Sequence, residues 1–584
     1  MSNVGLLGGL PTEFPRAYVA KETEFADWPT AESYYRELLG RNVGSAAQLE
    51  RWLYDASELE ACLDEERCAR YVEATRQTDD ESRQQRYIQF VEQVEARQKP
   101  WHNKLLRRLL ELADQFPLPP LRYEVLLRRA RNRTELYREE NIPLLTEEAK
   151  LVSEYQKITG AMTCRYDGRE QTLQQMARYQ EETDRSVREE TWRLMADRFQ
   201  QDAERLDELY IKMTALRDRI ARNAGCGDYR AYTFKNYGRF DYTPADCLAF
   251  HDAIERCVVP AARNLAAQRR RKLGLKTLRP WDFNVDPDGR PPLRPFGSVD
   301  QLVQGCSRIF QRVNPELGRI FDKLASLGVL DLDSRKGKAP GGYQETFAEH
   351  RLPFIFMNAV GTDNDVRTLL HEGGHAFHSW ACRNEPLLPY RSADGAIEFA
   401  EVASMGMECL ALPHVEIFFG PETQRANKRY FERIVQFFPY MARVDAFQHY
   451  VYTHLDAGLS GWKDHWQALT RRFSPEVDWS GLEAYDSRSW QRKLHIYEVP
   501  FYYVEYGIAQ LGALQVWRNS LRDYAHAVAL YQNGLALGGS RPLPELFEAA
   551  GCQFDFTEAT LRPLIEAAMA ETGAGRGLRP QATG

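Results

Sequence analysis

Residues 361–380, GTDNDVRTLLHEGGHAFHSW, decide how this chain reads. Thr362 is placed to cap a helix with Asp365 three residues on. Val366, Leu370, Phe377 and Ala381 then recur at helical spacing as the buried stripe. On such a helix His371 and His375 stand one turn apart on one face, so two imidazole nitrogens can reach one metal ion while Glu372 stands beside them. Gly373 and Gly374 work against the helix, at roughly 1 kcal/mol each relative to alanine. Their presence is expected to let a substrate strand cross that backbone closely.

A five-residue pattern of this kind also arises by chance, so the remaining chain has to supply what the chemistry lacks. A catalytic zinc takes three protein ligands and keeps a fourth position open. A metzincin would have Gly at 378 and His at 381, but the chain has His378 and Ala381, which excludes that class. His378 itself lies about 10 Å along the axis from His371, too far to share an ion, and reads as a hydrogen-bonding neighbour or a core histidine. The third ligand is expected in residues 394–410, DGAIEFAEVASMGMECL, where Asp394 can cap a helix carrying Glu398, Glu401 and Glu408 along one stripe. A stripe of acids is usually a solvated face. Here Ala400, Ala403, Ser404 and Gly406 flank it and permit close packing on another helix. Glu401 is therefore the candidate ligand, with Glu398 or Glu408 orienting a histidine.

A second cluster lies in residues 495–512, HIYEVPFYYVEYGIAQLG. His495, Tyr497, Tyr502, Tyr503 and Tyr506 crowd into a dozen residues, where the chain's 29 tyrosines would put about 0.6 tyrosines by chance. An aromatic core explains such a cluster plainly. Beside a zinc site, neutral phenol and imidazole donors would also suit the oxyanion of peptide hydrolysis. Gly507 and Gly512 read as leaving that stretch able to move.

The rest of the chain sets bounds. With 584 residues, 43% hydrophobic and 27% charged, it can form about three to four domain-sized units or, equally, one large interlocked body. A net charge of −7 gives no basic surface for nucleic acid, and Arg269-Arg270-Arg271 reads as a solvated helix end. Ten cysteines without a CxxC pair read as reduced and mostly buried. The first residues lack a signal-peptide pattern and no run of 18 apolar residues occurs, so a cytoplasmic protein without membrane contact is expected. Helical spacing dominates, giving a mostly α fold: an N-terminal helical region over 1–116, with Tyr87, Val91, Val94, Trp101 and Leu105 on one stripe, a helical lobe over 117–296, and a catalytic region over 297–572. Residues 573–584 are expected to be disordered. Asp167-Gly168 predicts a small hairpin, and prolines between 280 and 295 interrupt regular structure. Strands are expected around Gly341-Gly342-Tyr343 and over 353–360, the latter offering its edge to an extended peptide.

Several segments together resemble the thimet oligopeptidase superfamily of zinc peptidases, and most closely its bacterial oligoendopeptidase F branch. They are REQTLQQMARYQEETDRSVREETWR, RLPFIFMNAVGT leading into TLLHEGGHAFH, EFAEVASMGME, HIYEVPFYYVEYG and GGSRPLPELFEAAG. The resemblance implies two helical lobes enclosing a deep substrate channel, with a small β element beside the HEGGH helix. It implies one Zn2+ per chain on His371, His375 and Glu401, with Glu372 as general base and His495, Tyr502 and Tyr506 lining the site. It further implies endopeptidase action on short unstructured peptides. Gly373 replaces a bulkier residue often found in the family, and EVASM lacks the family's usual proline and glutamine. The choice among Tyr502, Tyr503 and Tyr506 stays open. An HExxH motif with a distant glutamate also suits a zinc carboxypeptidase acting at peptide C-termini. A non-catalytic peptide-binding protein of the same fold would be expected to have lost Glu372 or a ligand.

Overall fold

The structure, a computed structural model, describes residues 7–335, 337–339, 341–391 and 396–573. These are mostly helical. Strand is confined, among the described residues, to a hairpin of β1 (Thr163–Tyr166) and β2 (Arg169–Thr172) and a sheet of β3 (Leu330–Asp333), β4 (Tyr343–Phe347) and β5 (Leu352–Ala359). The hairpin turns where expected, because Asp167 and Gly168 both take left-handed backbone conformations, with φ of 53° and 70°. The candidate tail from residue 574 onward lies outside the described residues.

Two compact units share the chain, and they interleave along it. One holds residues 1–137, 294–423 and 512–554; the other holds 138–293, 424–511 and 555–584. Helical periodicity marks each helix but carries no signal for which distant helix it packs against.

The first unit opens with the helices Trp28–Gly40, Ala46–Arg76 and Glu81–Phe90, each capped by a side-chain oxygen, from Asp27, Ser45 and Asp80. The long stripe read through Tyr87 to Leu105 is broken by a π-helical turn at Val91–Glu95; Val94 and Leu105 are buried, while Tyr87 and Trp101 are half-buried. In the three-stranded sheet β5 lies in the middle, parallel to β3 and antiparallel to β4. Its run from Leu352 to Met357 is buried on both faces. The expectation that this strand offers a free edge is therefore corrected: both its edges are paired, and β4 and β3 are the outer strands. Lys338 Nζ ties the sheet by donating to Asp331 Oδ1 at 2.8 Å and to Met357 O at 2.6 Å. The helix Asp363–Ala381 packs directly on β5.

In the second unit the 39-residue helix Arg185–Asn223 packs along Asn141–Gly160. Fully buried Arg217 fastens this unit, donating to Glu148 at 2.7 Å, to the Tyr452 hydroxyl at 2.8 Å and to the Tyr497 carbonyl. A buried guanidinium is stable only when its donors are met in this way. None of the ten cysteines is disulfide-bonded, and all are buried except half-buried Cys226. Among the described residues no single helix is long and apolar enough to cross a membrane.

Candidate metal centre and active site

The helix Asp363–Ala381 begins as the sequence predicts. Thr362 Oγ1 accepts from Asp365 N at 3.3 Å and Asp365 Oδ2 accepts from Thr362 N at 2.8 Å, a reciprocal cap. Val366, Leu370 and Phe377 are buried, whereas Ala381 is exposed at the helix end.

A second helix, Ile397–Ala411, packs closely along the first. The two glycines explain how. A Cβ on Gly374 would stand 2.5 Å from the Ala403 carbonyl oxygen and 2.6 Å from Ser404 Cα, and one on Gly373 would stand 2.6 Å from Phe310 Cζ. Gly373 and Gly374 therefore make room for a neighbouring helix and a phenyl ring, which corrects the expectation that they make room for substrate. Tyr531 donates to the Ala403 carbonyl at 2.6 Å and braces the same spot. Asp394, expected to cap this helix, lies outside the described residues.

The close approach brings Glu401 against both histidines. Glu401 Oε2 is 3.4 Å from His371 Nε2 and 3.6 Å from His375 Nε2, and the three donor atoms lie within 4.8 Å of one another. A tetrahedral ion with bonds of about 2.1 Å spaces its ligands about 3.4 Å apart, so this donor set fits zinc. Glu408 Oε1, at 2.8 Å from His371 Nδ1, fixes that ring so that Nε2 faces Glu401. Of the two acids read as candidates for orienting a histidine, Glu408 is the one on His371. Ser404, read only as a small residue, also donates to Glu401 Oε2 at 3.0 Å.

Burial and neighbouring charge set the protonation. Burial pushes Glu401 up, but His375 and His371 outweigh it and hold the carboxyl at about 2. Burial pushes Glu372, only 7% exposed, up to about 7 against the pull of His371. His375 is lowered to about 4 by burial. His378 is lowered to about 4 for the same reason, lies edge-on to Phe399 at 5.9 Å, and its Nε2 finds no hydrogen-bond partner among the described residues. It is a core histidine and not a ligand.

The aromatic cluster belongs to the second unit. The His495 ring lies 6.0 Å from Tyr502 and 5.8 Å from Tyr506, which are themselves 5.3 Å apart. Tyr502 and Tyr506 are half-buried. Tyr503 is buried against Phe437 and Tyr440 with Lys493 Nζ 4.1 Å from its ring centre, and Tyr497 is stacked on Tyr155 at 4.2 Å and donates to the Leu206 carbonyl. The core reading is right for Tyr503 and Tyr497. Gly507 and Gly512 are packing positions as well, since added Cβ atoms would stand 2.3 Å from Met441 Cε and 2.6 Å from Val402 Cγ2; the expectation of mobility there is corrected.

Sequence reasoning missed the turn within this cluster. Phe501 takes a left-handed conformation with φ of 65°, which costs a non-glycine residue roughly 1–2 kcal/mol. Its amide donates to Gln448 Oε1 at 2.7 Å, its carbonyl accepts from Arg239 Nη2 at 2.6 Å, and Arg239 is paired with buried Glu505 at 2.7 Å. A phenylalanine gives no sequence signal for positive φ.

Comparisons with known proteins bear on the family and the fold. An oligoendopeptidase F homolog of Mycoplasma pneumoniae is 23% identical over 299 residues, 48% of this chain and 47% of that protein. The chain thus spans about half the length, or less, of the curated relatives it matches. A solved structure described as an oligoendopeptidase F superposes with a TM-score of 0.87 at 28% identity, over 94% of this chain and 98% of the other. PZ peptidase A, solved with an inhibitor, superposes at 0.86 with 26% identity over 96% and 99%. The profile of peptidase family M3 matches residues 178–565, a span that contains every candidate site residue named above. With well over half of its length matched, the chain belongs to peptidase family M3.

Proposed function

We propose that this chain is a zinc-dependent endopeptidase that hydrolyses internal bonds of short, unstructured peptides. The observation that carries the reading is Glu401 held against His371 and His375 with buried Glu372 beside them. His371 Nε2, His375 Nε2 and Glu401 Oε2 would hold one Zn2+, which when bound supplies Lewis acidity at the scissile carbonyl. Glu372 is the general base. Its carboxyl, lifted by burial to about 7, takes a proton from the attacking water and returns it to the leaving amine. Glu408 holds the Nδ1 proton of His371, so the ring keeps the tautomer that leaves Nε2 for the metal. Tyr502, Tyr506 and His495 are assigned as neutral donors to the developing oxyanion. Short peptides as the substrate class follow from the similarity to oligoendopeptidase F.

The test is zinc content of the purified protein together with hydrolysis of an internally quenched peptide, with product masses locating the cut. One zinc per HEGGH site and internal cleavage are expected. Release of single C-terminal residues alone would make it a carboxypeptidase, and no turnover by zinc-loaded protein would make it a binding protein.

A further inference from the structure

We propose that the second unit contains a structural site for a zinc-type divalent cation, formed by Cys247, His251, Asp445 and His449. The helix Pro244–Cys257 carries Cys247 and His251 four residues apart, and the helix Thr423–Thr453 carries Asp445 and His449 four residues apart. Each pair thus projects from one face of its helix. Cys247 Sγ, a carboxylate oxygen of Asp445 and a ring nitrogen of His449 lie within 4.8 Å of one another. His251 Nε2 is 2.8 Å from Asp445 Oδ2.

Three features distinguish this cluster from an ordinary buried polar network. First, neither ring nitrogen of His449 has a well-aligned hydrogen-bond partner among the described residues, although Nε2 stands 3.2 Å from Asp445 Oδ2. Two ligands of one ion stand at about that separation without bonding to each other. Second, Asp445 Oδ1 and His251 Nδ1 likewise have no partner among the described residues, although the side chains of His251, Asp445 and His449 are 0–3% exposed. Unmet polar atoms at such depth carry a desolvation cost that a cation would offset. The Phe234 and Phe501 rings, 6.1 and 5.2 Å from His449, wall the cluster with apolar surface. Third, the charges close. One thiolate and one carboxylate balance a divalent ion while both imidazoles stay neutral.

The donor types select the metal. Sulfur and imidazole suit zinc, whereas magnesium and calcium need oxygen. On loading, the Cys247 thiol loses its proton to solvent and His251 exchanges its hydrogen bond to Asp445 for the ion. With four buried donors no position is left for water, so the site is structural and takes its ion during folding. Its support reaches the aromatic cluster, because Gln448, next to His449, holds the Phe501 amide, and the Phe501 ring packs on His449.

The experiment is diffraction at the zinc absorption edge from crystals of the full chain refolded with zinc, paired with near-ultraviolet spectra of cobalt-substituted protein. Two anomalous peaks are expected, one at each centre. The cobalt protein should show a sulfur-to-cobalt charge-transfer band, which the HEGGH centre cannot produce because it has no sulfur ligand. That band should persist in Glu401→Ala and vanish in Cys247→Ser; if Cys247→Ser does not fold, the wild-type anomalous map decides. A peak at the HEGGH centre alone, or a band that survives Cys247→Ser, overturns this site. A peak at Cys247 and Asp445 alone would instead overturn the zinc reading of His371, His375 and Glu401.

Discussion

Two places in this molecule bring histidine and carboxylate together from facing helices, and they differ chiefly in their access to water. The side chains of His371 and His375 are 21% and 18% exposed, whereas those of His251 and His449 are 1% and 3% exposed. Beside the first pair stands Glu372, a carboxyl outside the group of three donors that burial lifts towards neutrality. On the proposed readings the same four-residue spacing would serve two ends: a water-accessible centre with a spare base that can react, and an enclosed one that can only hold.

The largest expected effect tests that spare base. Glu372→Gln keeps size and polarity but cannot accept a proton, so turnover should fall by roughly four orders of magnitude while zinc content and thermal midpoint stay near wild type. Activity within tenfold of wild type would erase the contrast between the two centres.

Next comes the contrast within the aromatic cluster. Tyr506→Phe removes a donor from a half-exposed ring and should lower kcat about 100- to 1000-fold with little change in KM, as for other oxyanion donors. Tyr503→Phe, on a buried ring, should leave kcat within a few fold. Equal losses in both variants would mean that exposure does not separate reactive tyrosines from core ones.

A smaller effect concerns the support of the open centre. Glu408→Ala should weaken zinc binding about 10- to 100-fold, read by competition with a chelating dye, while Glu398→Ala should retain zinc. The reverse ranking would move the orienting role to Glu398. The smallest is Thr362→Ala, which deletes a cap at the start of the metal helix and should cost about 1 kcal/mol in denaturant unfolding, with kcat unchanged.

What could be read from the sequence was what acts locally. The cap of Thr362 and Asp365, the pairing of His371 with His375, and the Asp167-Gly168 turn all depend on neighbours within four residues. Glu401 was also legible, because small residues beside an acidic stripe signal a close helix contact. The purpose of Gly373 and Gly374 was not, since it depends on Phe310 and Ala403, tens of residues away. The run over 353–360 was read as an edge, although consecutive apolar residues on both faces already point to an inner strand. Tyr502 and Tyr506 could not be told from Tyr503 because Tyr503 is buried by Phe437 and Tyr440, some sixty residues away in sequence. Cys247 with His251 and Asp445 with His449 each showed helical spacing, but nothing local joins two pairs nearly 200 residues apart.

The interleaving of the two units also sets an order in time. The first unit takes its last segment from residues 512–554, and the Tyr531 hydroxyl that braces the Ala403 carbonyl comes from that segment. At synthesis rates of about 5–20 residues per second, Tyr531 leaves the ribosome on the order of 10 s after Glu401. During that interval the HEGGH helix and its glutamate partner can meet, but they lack their brace. Chaperones and proteases would therefore encounter a nascent chain that already carries all three candidate metal donors and lacks the brace behind them.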